Sequence, residues 1–208
     1  MTARPQSLLQ IANARLDPSP LDRSVLVLVD AQLEYVGGRL PLAGIDQAIS
    51  EAERLLALAR RQAMPVLHVV QHSPPSRGLF DRTGPLVAVI PPLVPREGEP
   101  TVIKTLPNAF AGTDLRDRIQ ATGRSEMILA GFMTHMCISA TARAALDHGI
   151  RTTVVAAATA TRDIPDPLTG ETIPAAVVHR TALAELADRF AIVVADAGAL
   201  TASAAAAA

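Results

Sequence analysis

Cysteine is almost missing from this chain: there is one, Cys137, in 208 residues. A single thiol cannot close an internal disulfide, and it excludes a Cys-rich zinc site. Both points fit a reducing, cytoplasmic setting. Aromatic residues are scarce too, at 2% with no tryptophan, and the formal net charge is -1. No run of Lys or Arg is long enough to track a phosphate backbone, and few rings are present for bases to stack on, so nucleic-acid binding is not expected. No apolar run approaches the roughly 20 residues that span a bilayer. The N-terminal "MTARPQSLLQIANARLDPSP" also lacks the uninterrupted apolar core of a signal peptide.

What is present is a globular chain, 49% hydrophobic and 19% charged, long enough for one domain with a sizeable core. Pro5 to Leu16 suggests a short amphipathic helix before a Pro-rich joint. "SVLVLVD", Ser24 to Asp30, is a continuous apolar run ending in an acid, as in strands buried on both faces of a parallel sheet. Helical spacing follows over Ile45–Gln62, then a second strand over Pro65–Gln71. The long Pro/Gly-rich region from His72 to Glu99 has the character of a lid or binding loop. Beyond it come a strand at Pro100–Lys104, a helix with Thr113 as N-cap, and a strand at Ser125–Gly131. A helix over Met136–His148, a strand over Arg151–Ala158, a helix over Ile173–Phe190 and a strand over Ala191–Asp196 complete the pattern. Six apolar strands alternating with helices predict a three-layer α/β/α fold with a doubly wound parallel sheet. Residues 1–23 are an N-terminal helical extension, 24–199 the main domain and 200–208 a low-complexity tail with no assigned chemistry.

In such sheets ligands bind beyond the C-terminal ends of the strands. Three chemically distinct residues fall there: Asp30 after the first strand, Lys104 at the third and Cys137 after the fourth. Each has a bland alternative, as a turn-capping acid, a solvated lysine or a small buried thiol. Together they form a coherent set. A thiol attacks a carbonyl as thiolate, and a cysteine in the first turn of a helix is expected to have its pKa lowered by the helix dipole. A carboxylate takes the proton, a lysine orients that carboxylate, and free N–H groups of the turn receive the oxyanion. This is nucleophilic acyl transfer followed by hydrolysis.

These residues lie in three ordered motifs that resemble the isochorismatase-like cysteine hydrolases. "LVDAQLEYV" supplies Asp30, Gln32 and Tyr35; "VIKTLPNAFAGTDL" supplies Lys104, Phe110, Gly112, Thr113 and Leu115; "LAGFMTHMCISATARAALDHG" resembles the nucleophile motif. The resemblance implies a six-stranded parallel sheet in the order 3-2-1-4-5-6 and a triad of Asp30, Lys104 and Cys137. It also implies a non-proline cis peptide between Phe132 and Met133, oxyanion donors at the Met133 and Cys137 N–H groups, and a homo-oligomer, dimer or tetramer. Metal-binding relatives carry an Asp-x-His pair after the second strand. Here "VVQHSPPSRGLF" has only His72, so no metal and no cofactor are expected. Retention of Cys137 favours an amide-type C–N bond of a small molecule as the target.

Gln32, Tyr35, His72, Phe110, Thr134 and His135 are the expected substrate-pocket residues, with Arg77 and Phe80 of the long loop shaping the cavity. His135 stands two residues from Cys137, a spacing that does not share a helix face, so it is not expected to be the base. His68 is expected in the core, and His148 and His179 at the surface or an interface. Arg162 and Asp163 form either a rim ion pair or a substrate contact. Two other functions compete: a vinyl-ether hydrolase of the isochorismatase type with Asp30 as acid, and a non-enzymatic protein in which Cys137 senses oxidants.

Overall fold

The computed structural model describes residues 4–75 and 78–201. Arg77 and the tail beyond residue 201 lie outside the described residues. The strands of the main sheet are β1 (Ser24–Val29), β2 (Val66–Gln71), β3 (Thr101–Lys104), β4 (Glu126–Phe132), β5 (Arg151–Ala160) and β8 (Ile192–Val194). All pair in parallel, in the order β3-β2-β1-β4-β5-β8. Counted along the main sheet alone, this is the expected 3-2-1-4-5-6. A two-stranded hairpin, β6 (Ile164–Pro165) with β7 (Thr172–Ile173), was not expected from the sequence. Strands of two residues leave no periodic signal.

Both faces of the sheet are covered, which is why β1 is apolar throughout and buried at every position. Leu26 and Leu28 pack toward α3 (Ile45–Arg61) with Leu55 and Leu56. Val25, Val27 and Val29 face the other core, built with α4 (Leu115–Ala121), α5 (Ser139–Asp147) and α6 (Ala175–Arg189). Ala142 and Ala145 of α5 are fully buried there, so core packing accounts for this Ala-rich stretch.

The N-terminal helix is shorter than expected. Only α1 (Leu8–Ile11) forms, one turn closed by a capping box between Ser7 and Gln10. The helix expected from Met136 begins instead as a π-helical turn at Thr134–Ile138 before α5. Thr113 is not the N-cap of α4. Asp114 holds that position, and Thr113 Oγ1 accepts the Leu115 N–H at 3.3 Å while donating to the Ala109 carbonyl.

Candidate active site

The site is assembled by strand register. Val29 lies opposite Val69 and Gly131, and Gln71 opposite Lys104, so the C-terminal ends of β1, β2, β3 and β4 converge. Asp30 follows β1 with φ 52°, a left-handed conformation that Asp tolerates better than most residues, and its N–H donates to the Val69 carbonyl at 2.7 Å. Gly131 has φ 117°, and a Cβ there would stand 1.9 Å from the Val29 carbonyl oxygen, so only glycine lets β4 reach β1 beside Asp30. The next peptide bond but one, Phe132–Met133, is cis. The π turn follows, with the Met136 and Ile138 N–H groups donating to the Met133 carbonyl at 3.1 and 3.2 Å. A π turn carries one residue more per turn than the α-helix and recurs at functional sites. Here it bears Cys137.

Lys104 is the hub. Its Nζ lies 2.7 Å from Asp30 Oδ2, donates to Gln71 Oε1 at 2.7 Å and to Cys137 Sγ at 3.4 Å. Asp30 is 0%, Lys104 1% and Cys137 6% exposed. Asp30 Oδ1 has no hydrogen-bond partner among the described residues. Burial raises the Asp30 pKa against the opposing pull of the Lys104 charge. Burial pushes the Cys137 thiol up to about 12, with the Asp30 charge adding to the rise and Lys104 opposing it. This corrects the expected lowered thiol pKa: desolvation beside a carboxylate outweighs any dipole of the turn. The resting cysteine is a thiol, and a carboxylate of heightened basicity stands beside it.

The other expected site residues separate into groups. Tyr35, from α2 (Glu34–Gly37), is buried and packs edge-on against Phe80 and Phe132, with ring centroids 5.2 and 5.9 Å apart. Asp30 and Cys137 both act electrostatically on its phenol. His72, just beyond β2, is half-buried and donates its N–H to the Lys104 carbonyl at 2.9 Å. Gln32 is a brace, not a free pocket group. Its Nε2 donates to the Gln71 and Val87 carbonyls at 3.0 and 2.8 Å, and its Oε1 accepts the Gln71 N–H at 2.9 Å. Phe110 belongs to the core on the α4 side and tilts against the His148 ring, centroids 4.8 Å apart. Thr134 is fully buried and hydrogen-bonds His179 Nδ1 at 2.9 Å, so His179 ties α6 to the π turn that bears Cys137 instead of standing free at the surface.

His135 turns away from Cys137. Its Nδ1 pairs with Thr161 Oγ1, and its ring lines a cavity of about 410 Å³ with Ile164, Ile173 and Val178. His68 is a core histidine paired with Glu99 at 3.1 Å. Arg162 and Asp163 do not form an ion pair. Asp163 Oδ1 accepts the Ala175 N–H at the start of α6, while Arg162 donates to the Asp163 carbonyl and keeps a buried Nε without a partner among the described residues. Gln71 was not singled out from the sequence, although its place at the end of β2 gave the same signal that marked Asp30 and Lys104. Among the described residues, no group of three or more His, Cys, Asp or Glu side chains is arranged to hold a metal ion. No described helix is long and apolar enough to cross a membrane.

Residues 24–197 match the Isochorismatase domain family. The chain superposes on the crystal structure of an isochorismatase from Pseudomonas putida with a TM-score of 0.89 and 39% identity, covering 94% of this chain and 99% of that one. It is 36% identical to a secreted isochorismatase effector of Verticillium dahliae over 80% of this chain and 85% of the relative. It is 32% identical to a maleamate amidohydrolase of Pseudomonas putida over 64% of this chain and 70% of the relative.

Proposed function

This chain belongs to the isochorismatase family, and from that premise we propose that it is a metal-independent cysteine hydrolase cleaving a C–N bond of a small amide. The observation that carries the proposal is the buried contact of one lysine with both a carboxylate and the chain's single thiol. A relative named as an amidohydrolase supports the choice of bond.

Asp30 takes the thiol proton as Cys137 Sγ attacks the substrate carbonyl carbon. Its raised pKa suits it to hold that proton until the tetrahedral intermediate collapses. The C–N bond then breaks, the leaving nitrogen takes the proton from Asp30, and a thioester remains on Cys137. Water attacks the thioester, Asp30 accepts its proton, and the thiol is restored as the acid product leaves. Lys104 holds Asp30 in place and steadies the developing thiolate through its contact with Sγ. The Met133 and Cys137 N–H groups receive the oxyanion. The Met133 N–H donates to nothing among the described residues, which leaves it free for this role.

A panel of small primary amides tests the proposal, read by ammonia release and by intact mass. The expected result is an adduct equal to substrate minus ammonia on Cys137, absent from Cys137→Ala, which also loses turnover. Full turnover in Cys137→Ala without an adduct would overturn it, and would point to vinyl-ether chemistry with Asp30 as acid.

A further inference from the structure

An ammonium group has three N–H donors and no lone pair, so it is held best where every neighbour accepts. The three groups around Lys104 Nζ are a carboxylate, an amide oxygen and a sulfur. The amide oxygen is as close as the carboxylate, both at 2.7 Å. It comes from Gln71, directly across from Lys104 in the β2–β3 register. Because Nζ only donates, the oxygen end of the Gln71 amide must face it, while Nε2 points to the His72 carbonyl at 3.5 Å. The Gln71 backbone is itself clamped on both sides by Gln32, whose Nε2 also reaches Val87 of the long loop. A glutamate in the same place would accept equally well but would set a second anion beside the thiol.

We infer that Gln71 is a positioning residue for catalysis: its neutral amide oxygen completes the acceptor set that holds Lys104 Nζ aimed at Cys137, without adding negative charge to the site. The charges around the thiol are otherwise those of Asp30 after β1 and Lys104 on β3. On the neighbouring Tyr35 phenol of α2, Asp30, Cys137, Glu34 and Arg162 act electrostatically. The inference rests on Asp30, Lys104 and Cys137 acting as one unit.

Alkylation of Cys137 by iodoacetamide in the full chain, followed from neutral to alkaline pH, needs no amide substrate and so tests it separately. Gln71→Leu removes the acceptor, and Gln71→Glu keeps an acceptor of the same length but adds a charge. Both are expected to move the rate–pH profile upward by about one unit, which is about tenfold slower labelling at a fixed pH below the midpoint. If Gln71→Leu does not fold, as judged by thermal melting, Gln71→Glu decides alone. Lys104→Met is the reference. A shift in Lys104→Met with a wild-type or downward-shifted profile in Gln71→Glu would overturn the role of Gln71 alone. No shift in any variant would overturn the triad as well.

Discussion

Asp30 and Glu99 are both acids held by a cation near the β2–β3 side of the sheet, and their protons are held in opposite senses. Glu99 accepts from Arg60 Nε and Nη2 and from the Arg96 N–H, each at 2.8 Å, and pairs with His68 at 3.1 Å. Those donors, with Arg60 foremost, pull its pKa down to about 2. Asp30 is deeper and meets one cation, Lys104, with weaker pulls from the Cys137 thiol and the Gln71 N–H, so burial prevails and its pKa rises. Glu126 is also ringed by cations, with Arg15, Arg23 and Arg151 within 3.5, 3.3 and 2.9 Å. The number of donors measured against the depth of burial separates an acid that braces the fold from one able to accept a proton.

The contrast can be broken from either side. The largest effect belongs to Asp30→Asn, which keeps the shape and the left-handed backbone but removes the base: amide turnover is expected to fall by on the order of a thousandfold. Lys104→Met leaves the Asp30 charge buried and uncompensated, and denaturant unfolding should register a loss of about 3–5 kcal/mol. Combining Lys104→Met with Asp30→Asn removes that charge too, so the double variant should be more stable than Lys104→Met alone. Glu99→Gln strikes the bracing acid and should cost about 1–3 kcal/mol at neutral pH while leaving turnover unchanged. Its pH dependence carries a sign. The folded value of about 2 lies below the ordinary 4.5, so the stabilisation is fully present above about pH 4.5 and fades as pH falls toward 2. Wild type should therefore lose more stability than Glu99→Gln between neutral pH and pH 3 in paired denaturant titrations. The smallest effect is that of Thr134→Val, which breaks the tie from the π turn to His179 and should lower stability by about 1 kcal/mol in the same assay.

Much of this was legible in the sequence because the parallel sheet writes itself plainly. Apolar runs such as Ser24–Val29 are buried on both faces, and the residue after each run falls at the ligand-binding edge. Asp30 and Lys104 were recognisable for that reason, and the Gly131–Cys137 stretch by its likeness to a known motif. Side-chain direction was not legible. Gln32 and Phe110 stand in motifs, yet one is spent on backbone hydrogen bonds and the other on the core. His135 and His179 are aimed by Thr161 and Thr134, partners 26 and 45 residues away. The π turn differs from an α-helix by one residue per turn, which apolar spacing over five residues does not resolve. The raised thiol pKa was not legible either, because a helix start suggests a dipole, whereas burial beside Asp30 depends on how four strands meet.

Asp30 has two expected roles: with burial it suppresses the resting thiolate of Cys137, and it serves as the base. The most direct test compares Cys137 alkylation across alkaline pH in wild type and Asp30→Asn, with amide turnover measured on the same samples. Asp30→Asn is expected to bring the thiol midpoint down from its raised value of about 12, so that labelling quickens while turnover is lost. An unchanged or higher midpoint, or turnover that survives the substitution, would contradict it.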